Sequence, residues 1–208
     1  MVVKLGGSYA GSPLLRPWVR AVEAAAGRVV LVPGGGPFAD AVRDAQAAMG
    51  FGDGAADAMA MLGMAQFGIA LCSLGALLVM AENAAAIAAA LGGGQVPVWA
   101  PLAMVRAESD LPRSWDVTSD SLALWLAQRL GAGALLLVKM RSAGLPPPSW
   151  PGLTWASTRP GHDETMELVD PYFPRLHAVH PCPVFVAGPG DPPAGLDPDR
   201  LPGVRLAA

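Results

Sequence analysis

The chain has 208 residues, of which 52% are hydrophobic and 15% charged, and it carries a net charge of −3. That is enough apolar material for one domain with a sizeable core, and it leaves no basic stripe to neutralise a nucleic-acid backbone, so a nucleic-acid partner is excluded. Cys72 and Cys182 lie far apart, and His162, His177 and His180 follow no ligand spacing, so the cysteines read as reduced core residues and no metal set is expected.

Val2 to Leu5 is an apolar run that ends in Gly6-Gly7-Ser8, the pattern of a buried strand entering a tight loop. Ser12 and Pro13 open a helix whose apolar face holds Leu14, Leu15, Trp18, Val19, Val22 and Ala26, and Gly27 stops it. Residues 28–32 form a second strand, followed by Gly34-Gly35-Gly36 and a helix from Phe38 to Met49. Strand, helix, strand, glycine loop and helix predict a parallel sheet covered on both faces.

Asp53 caps a long alanine-rich helical region, and a second helical stretch runs from about Glu82 to Leu91. Between Ala58 and Ala81 only Gln66 and Ser73 are clearly polar, a length that could span a bilayer. No lysine or arginine occurs between Arg43 and Arg106 to orient a span. The expectation is therefore a helix buried within the fold, with no membrane partner, and a patch usable in a homo-oligomer. Met59, Met61 and Met64 on it read as core, with a ligand-pocket lining as the alternative.

Gln95 to Ala100 is a strand candidate despite Pro97. A helix follows Trp115 to Ser121 through Leu122, Leu126 and Leu130, and Ala134 to Val138 is the cleanest buried strand. Residues 144–161 hold five prolines and are expected to form a loop or flap within a single domain spanning 1–208. A last apolar run, residues 183–187, precedes a proline-rich tail in which residues 203–206 suggest an edge strand. No basic leader precedes an apolar stretch, so a cytoplasmic location is expected.

Ligands collect at the carboxyl ends of parallel strands, and both glycine loops stand there. Glycine lets main-chain amides approach phosphate oxygens, and the second loop enters a helix whose N-terminus favours an anion. Lys4 and Lys139 are the only lysines. Lys4 could lie over a transferring phosphoryl group, or simply face water at a strand end. Asp120, among Thr118, Ser119 and Ser121, reads either as a capping cluster or as a carboxylate that orients Lys4 and keeps it charged.

Lys4-Leu5-Gly6-Gly7-Ser8, Val32-Pro33-Gly34-Gly35-Gly36, Thr118-Ser119-Asp120-Ser121-Leu122-Ala123 and residues 131–137, in this order, resemble the amino acid kinase superfamily. The resemblance implies a three-layer α/β/α sandwich with a mainly parallel sheet, and an ATP-dependent phosphotransferase acting on a small anionic metabolite, with Mg2+ held by the nucleotide. It implies Lys4 and Asp120 as catalytic residues. Gly6, Gly7 and Ser8 would meet the ATP phosphates, and Gly34, Gly35 and Gly36 the acceptor or transferring phosphoryl group. Asp40, Thr118 and Ser119 would bind substrate, and Lys139 and Arg141 the nucleotide. The short length, residues 34–40, residues 115–121 and residues 167–174 look most like the small aminomethylfuran phosphate kinases of methanofuran-type cofactor biosynthesis. Uridylate and isopentenyl phosphate kinases are the alternatives, and a non-catalytic nucleotide-binding subunit is the rival class. The family's second catalytic lysine has no counterpart after Lys139, which leaves Arg141, Arg159 or Arg175 as sources of positive charge.

Overall fold

The structure is a computed structural model that describes residues 1–108, 110–140, 168–179, 181–188, 190, 192–197 and 200–206. The predicted 144–161 loop and Arg141 lie outside the described residues. In chain order the strands are β1 (Val2–Leu5), β2 (Val30–Pro33), β3 (Leu78–Ala81), β4 (Val96–Trp99), β5 (Leu135–Val138), β6 (Val184–Ala187) and β7 (Val204–Arg205). They form one sheet in the order β3-β4-β2-β1-β5-β6-β7, parallel except for the antiparallel pair β6–β7.

The helices are α1 (Leu15–Glu23), α2 (Gly36–Met49), α3 (Asp53–Cys72), α4 (Ala84–Gly92), α5 (Leu102–Glu108), α6 (Ser119–Arg129) and α7 (Phe173–Val179). Alternation along the strands divides the core in two. Val3, Leu5, Leu31 and Leu136 pack with Trp18 and Val22 of α1. Val2, Val32, Leu135 and Leu137 pack with Ile87 of α4, Met104 of α5, Leu122 and Leu126 of α6 and Phe173 of α7. The expected three-layer sandwich with a mainly parallel sheet is therefore present.

Four elements depart from the sequence expectation. The apolar run after residue 58 is not helical throughout, because β3 occupies Leu78–Ala81 at the edge of the sheet. A short run buried on both faces carries no period to separate strand from helix. α3 is not wholly buried either. Met61, Met64, Phe67 and Leu71 face inward, while Met59, Leu62 and Ile69 are 38%, 49% and 61% exposed. Helices α5 and α7, seven residues each, are too short for a readable period. Pro97 lies within β4 although β4 is interior. Val96 and Ala100 donate to Leu77 and Ala81 on the β3 side, so alternation turns the missing Pro97 N–H towards β2, where the register holds the single pair Leu31–Val98.

The two glycine turns meet at the carboxyl edge of β1 and β2 and interlock. A Cβ on Gly7 would stand 2.0 Å from the Gly36 nitrogen, and one on Gly34 would stand 2.3 Å from the Gly7 nitrogen. Gly36 also has φ +51, a left-handed conformation that disfavours side chains. Gly34→Ala should therefore lower stability by about 2 kcal/mol or more through forced backbone displacement. By contrast Gly54→Ala, in the first turn of α3 with nothing within 4 Å of the added Cβ, should raise it by about 0.5 kcal/mol. Urea unfolding of the two variants beside the parent checks both signs.

Candidate active site

Lys4 lies within β1 in register with Leu137 of β5, and Lys139 follows two residues beyond Leu137. Side chains two apart on a strand share a face, so both lysines point to the α6 side of the sheet. Helix α6 starts there, with Thr118 as its N-cap and Asp120 in its first turn. The Lys4 ammonium stands 3.0 Å from Oδ1 of Asp120, and the Lys139 ammonium donates to Oδ2. The side chains are 7%, 6% and 14% exposed for Lys4, Asp120 and Lys139.

One carboxylate thus serves two ammonium groups, and the cluster keeps a surplus positive charge in a place where water screens it little. Burial alone would push the Asp120 carboxyl up, but Lys4 and Lys139 outweigh it and hold it below the ordinary carboxylate range. Burial, and then the repulsion of Lys4, bring Lys139 down to about 8 against the pull of Asp120. Lys139 thus stands as a second cation beside Lys4. Arg175 is exposed on α7, and Arg141 and Arg159 lie outside the described residues.

The glycines divide by what their amides already do. The Gly6 N–H donates to the Val138 carbonyl at 2.9 Å and the Gly34 N–H to the Leu5 carbonyl at 2.8 Å. These two amides prolong the sheet and are already used there, so any amide offered to a phosphate must come from their neighbours. Gly7 and the exposed Ser8 begin a 3-10 turn, and Gly35 and Gly36 open α2, whose first amides have no intrahelical acceptor. The Tyr9 hydroxyl donates to the Lys139 carbonyl at 3.2 Å, tying the first turn to the end of β5.

A cavity of about 190 Å3 adjoins this edge. Gly7, Gly35, Gly36, Thr118 and Ser119 form its polar end, while Met61, Met64 and Leu122 supply apolar wall. Met59, on the outer face of α3, is not part of that wall. Asp40 does not line the cavity. It is exposed on α2 and accepts from Arg43 Nη1 at 2.9 Å. Arg43 lines the cavity, with its guanidinium carbon 4.2 Å from the Trp115 ring centroid.

Asp170 was left unassigned by the sequence motifs. Its Oδ2 accepts from Thr118 N (2.8 Å), Thr118 Oγ1 (2.9 Å) and Ser121 N (3.0 Å), and its Oδ1 from Ser121 Oγ and Phe173 N (3.0 Å). Burial pushes this carboxyl up against the Ser121 and Thr118 bonds, and the Asp120 charge pushes it the same way. It pins the start of α6 from 49 residues further along the chain. Only its place in the 167–174 segment singled that stretch out.

Residues 1–140 match the amino acid kinase family. The chain belongs to this family. Among solved structures, this amino acid kinase family member is similar to uridylate kinase from Archaeoglobus fulgidus (TM-score 0.64, 18% identity, 92% of this chain and 91% of that one). It is also similar to UMP kinase from Ureaplasma parvum (0.62, 15%, 92% and 90%). Aspartate kinase from Synechocystis (0.60, 16%, 90% and 37%) shares the fold over about a third of its length. No curated protein sequence matches the chain.

Lys139 should make the binding of a polyphosphate anion, tested with ATP, proton-linked. Without ligand its ammonium deprotonates near pH 8, and a polyphosphate beside it favours the charged form. Binding should therefore take up a proton at pH values just above 8, and the uptake should vanish in Lys139→Arg, which stays charged. Calorimetry in buffers of different ionisation enthalpy measures it. Asp170→Asn, which turns an NH2 group towards the donors of Thr118 and Ser121, should lower stability by about 2–3 kcal/mol. Urea unfolding reads the loss, and an unchanged midpoint would remove Asp170 from this role.

Proposed function

We propose that this chain is an ATP-dependent small-molecule kinase whose acceptor is a phosphate monoester, aminomethylfuran-methyl phosphate, converted to its diphosphate in methanofuran-type cofactor biosynthesis in the cytoplasm. The observation that carries the reading is the buried Lys4–Asp120–Lys139 cluster beside two interlocked glycine turns. In the proposed reaction an acceptor phosphate oxygen bonds to the γ-phosphorus of ATP. The bond from that phosphorus to the β,γ-bridging oxygen breaks, and ADP leaves with its electron pair.

The protein's part is placement and charge. Lys4 and Lys139 offset the charge on the transferring group, and Asp120 keeps both ammonium groups in position. Gly7 and Ser8 face the ATP side, while Gly35, Gly36 and the start of α2 take the acceptor phosphate. The buried surplus of positive charge fits a polyphosphate. Magnesium would ride on the nucleotide phosphates and neutralise part of their charge.

The cavity volume of about 190 Å3 is below the roughly 300–1,000 Å3 of drug-sized ligand sites, which supports a small acceptor over a nucleotide such as UMP. The Met61, Met64 and Leu122 wall favours isopentenyl phosphate as the second choice. A non-catalytic nucleotide-binding subunit is the rival reading, and the two cations meeting on Asp120 count against it.

A coupled assay of ADP release against each acceptor tests the proposal. ADP should appear only with the right phosphate monoester. Lys4→Ala should abolish turnover while circular dichroism stays unchanged. Asp120→Asn should lower kcat about 100-fold or more with a smaller change in ATP affinity. Nucleotide binding without ADP from any acceptor would instead establish the binding subunit.

A further inference from the structure

The cavity beside the glycine turns contains a carboxylate, which an anion pocket does not need. Asp57 lines it from α3, on the face that also presents Met61 and Met64 at i+4 and i+7. The distance from the phosphate end can be read along this helix. A Cβ on Gly63 would stand 3.2 Å from Ala39 N, so Gly63 sits against the first turn of α2. Asp57 lies six residues earlier, about 9 Å away at the rise of an α-helix.

The charges around Asp57 leave it available. Burial pushes its carboxyl up, and Arg113 and Arg106 draw it down more weakly. Neither arginine, nor any other described residue, forms a close ion pair or hydrogen bond with it. Arg43, the cation on the cavity wall, is held by Asp40 and the Trp115 ring. Trp115 is fixed in turn by its Nε1 donating to Gln46 Oε1 at 2.7 Å. A half-buried carboxylate without a close partner is costly to keep charged, and a ligand cation would relieve it.

We propose that Asp57 receives the ammonium group of a zwitterionic acceptor whose phosphate rests on the Gly35–Gly36 turn, so that the pocket selects amino-phosphate esters with about two helical turns between the charges. This rests on the kinase reading above, since it assigns the phosphate end to the glycine turns. Selection follows because an acceptor lacking the amine leaves a desolvated carboxylate unpaired.

Calorimetric titration of the full chain with aminopentyl phosphate and with pentyl phosphate tests it. The amine should bind about tenfold tighter or more, and Asp57→Asn should reduce that preference to under about threefold, with pentyl phosphate bound at least as tightly as in the parent because no carboxylate is left unpaired. Asp57→Glu, one methylene longer, should restore the preference and shift it to aminobutyl phosphate, which also shows that the variants fold. No amine preference in the parent, or a preference that survives in Asp57→Asn, overturns the assignment. ADP release is followed in the same samples. Phosphate esters that bind and are turned over without amine preference sink the Asp57 proposal alone, whereas esters that do not bind at all sink the kinase reading with it.

Discussion

The structure depends on one carboxylate shared between two ammonium groups. Asp120 is desolvated, and so are Lys4 and Lys139 on either side of it. An isolated buried charge of either sign would be strongly unfavourable. Together the three nearly compensate, with one unit of positive charge left over. Burial first, and then the neighbouring charge of Lys4, lower the proton affinity of Lys139. The remainder gives the site its chemical character, because only an anion completes the balance. A phosphoryl group in transfer, with charge spread over its equatorial oxygens, is such an anion.

Around this cluster the fold works to keep three chain segments in register. β1 and β5 are adjacent, so Lys4 and Lys139 sit on neighbouring strands and on one face. The first turn of α6 brings Asp120 between them, and Asp170 holds that turn through both oxygens. The glycine turns leave little room for adjustment, since their backbones touch where any side chain would stand. Glycine here serves backbone-to-backbone packing first, and whatever it offers a phosphate comes from the amides that the sheet has not already used.

The cavity differs in character from the charge cluster. It joins the main chain of Gly7, Gly35 and Gly36 to methionine and leucine walls, and it carries Asp57 at the α3 end. α3 therefore has two roles along its length, pocket wall near Met61 and Met64 and core near Phe67 and Leu71. Its outward residues Met59, Leu62 and Ile69 explain why its composition looked membrane-like: it is 20 residues long with a mean hydropathy of 1.4, although 44% of that stretch is buried.

The sequence alone determined the layer order, because alternating buried strands and amphipathic helices allow few other arrangements, and it placed both glycine turns at strand ends. It also singled out Lys4 and Asp120, whose rarity and capping context could be read locally. It left β3 inside an apolar run, since a strand buried on both faces has no period, and it left α5 and α7 unseen because a helix of seven residues hardly repeats its pattern. Only the tertiary structure put Lys139 on the far side of Asp120, closed Asp170 onto Thr118 and Ser121, and turned Asp40 away from the cavity that Asp57 enters. Those are relations between residues tens of positions apart. Register and helix rotation decide them, and neither is written in the neighbourhood of any one residue.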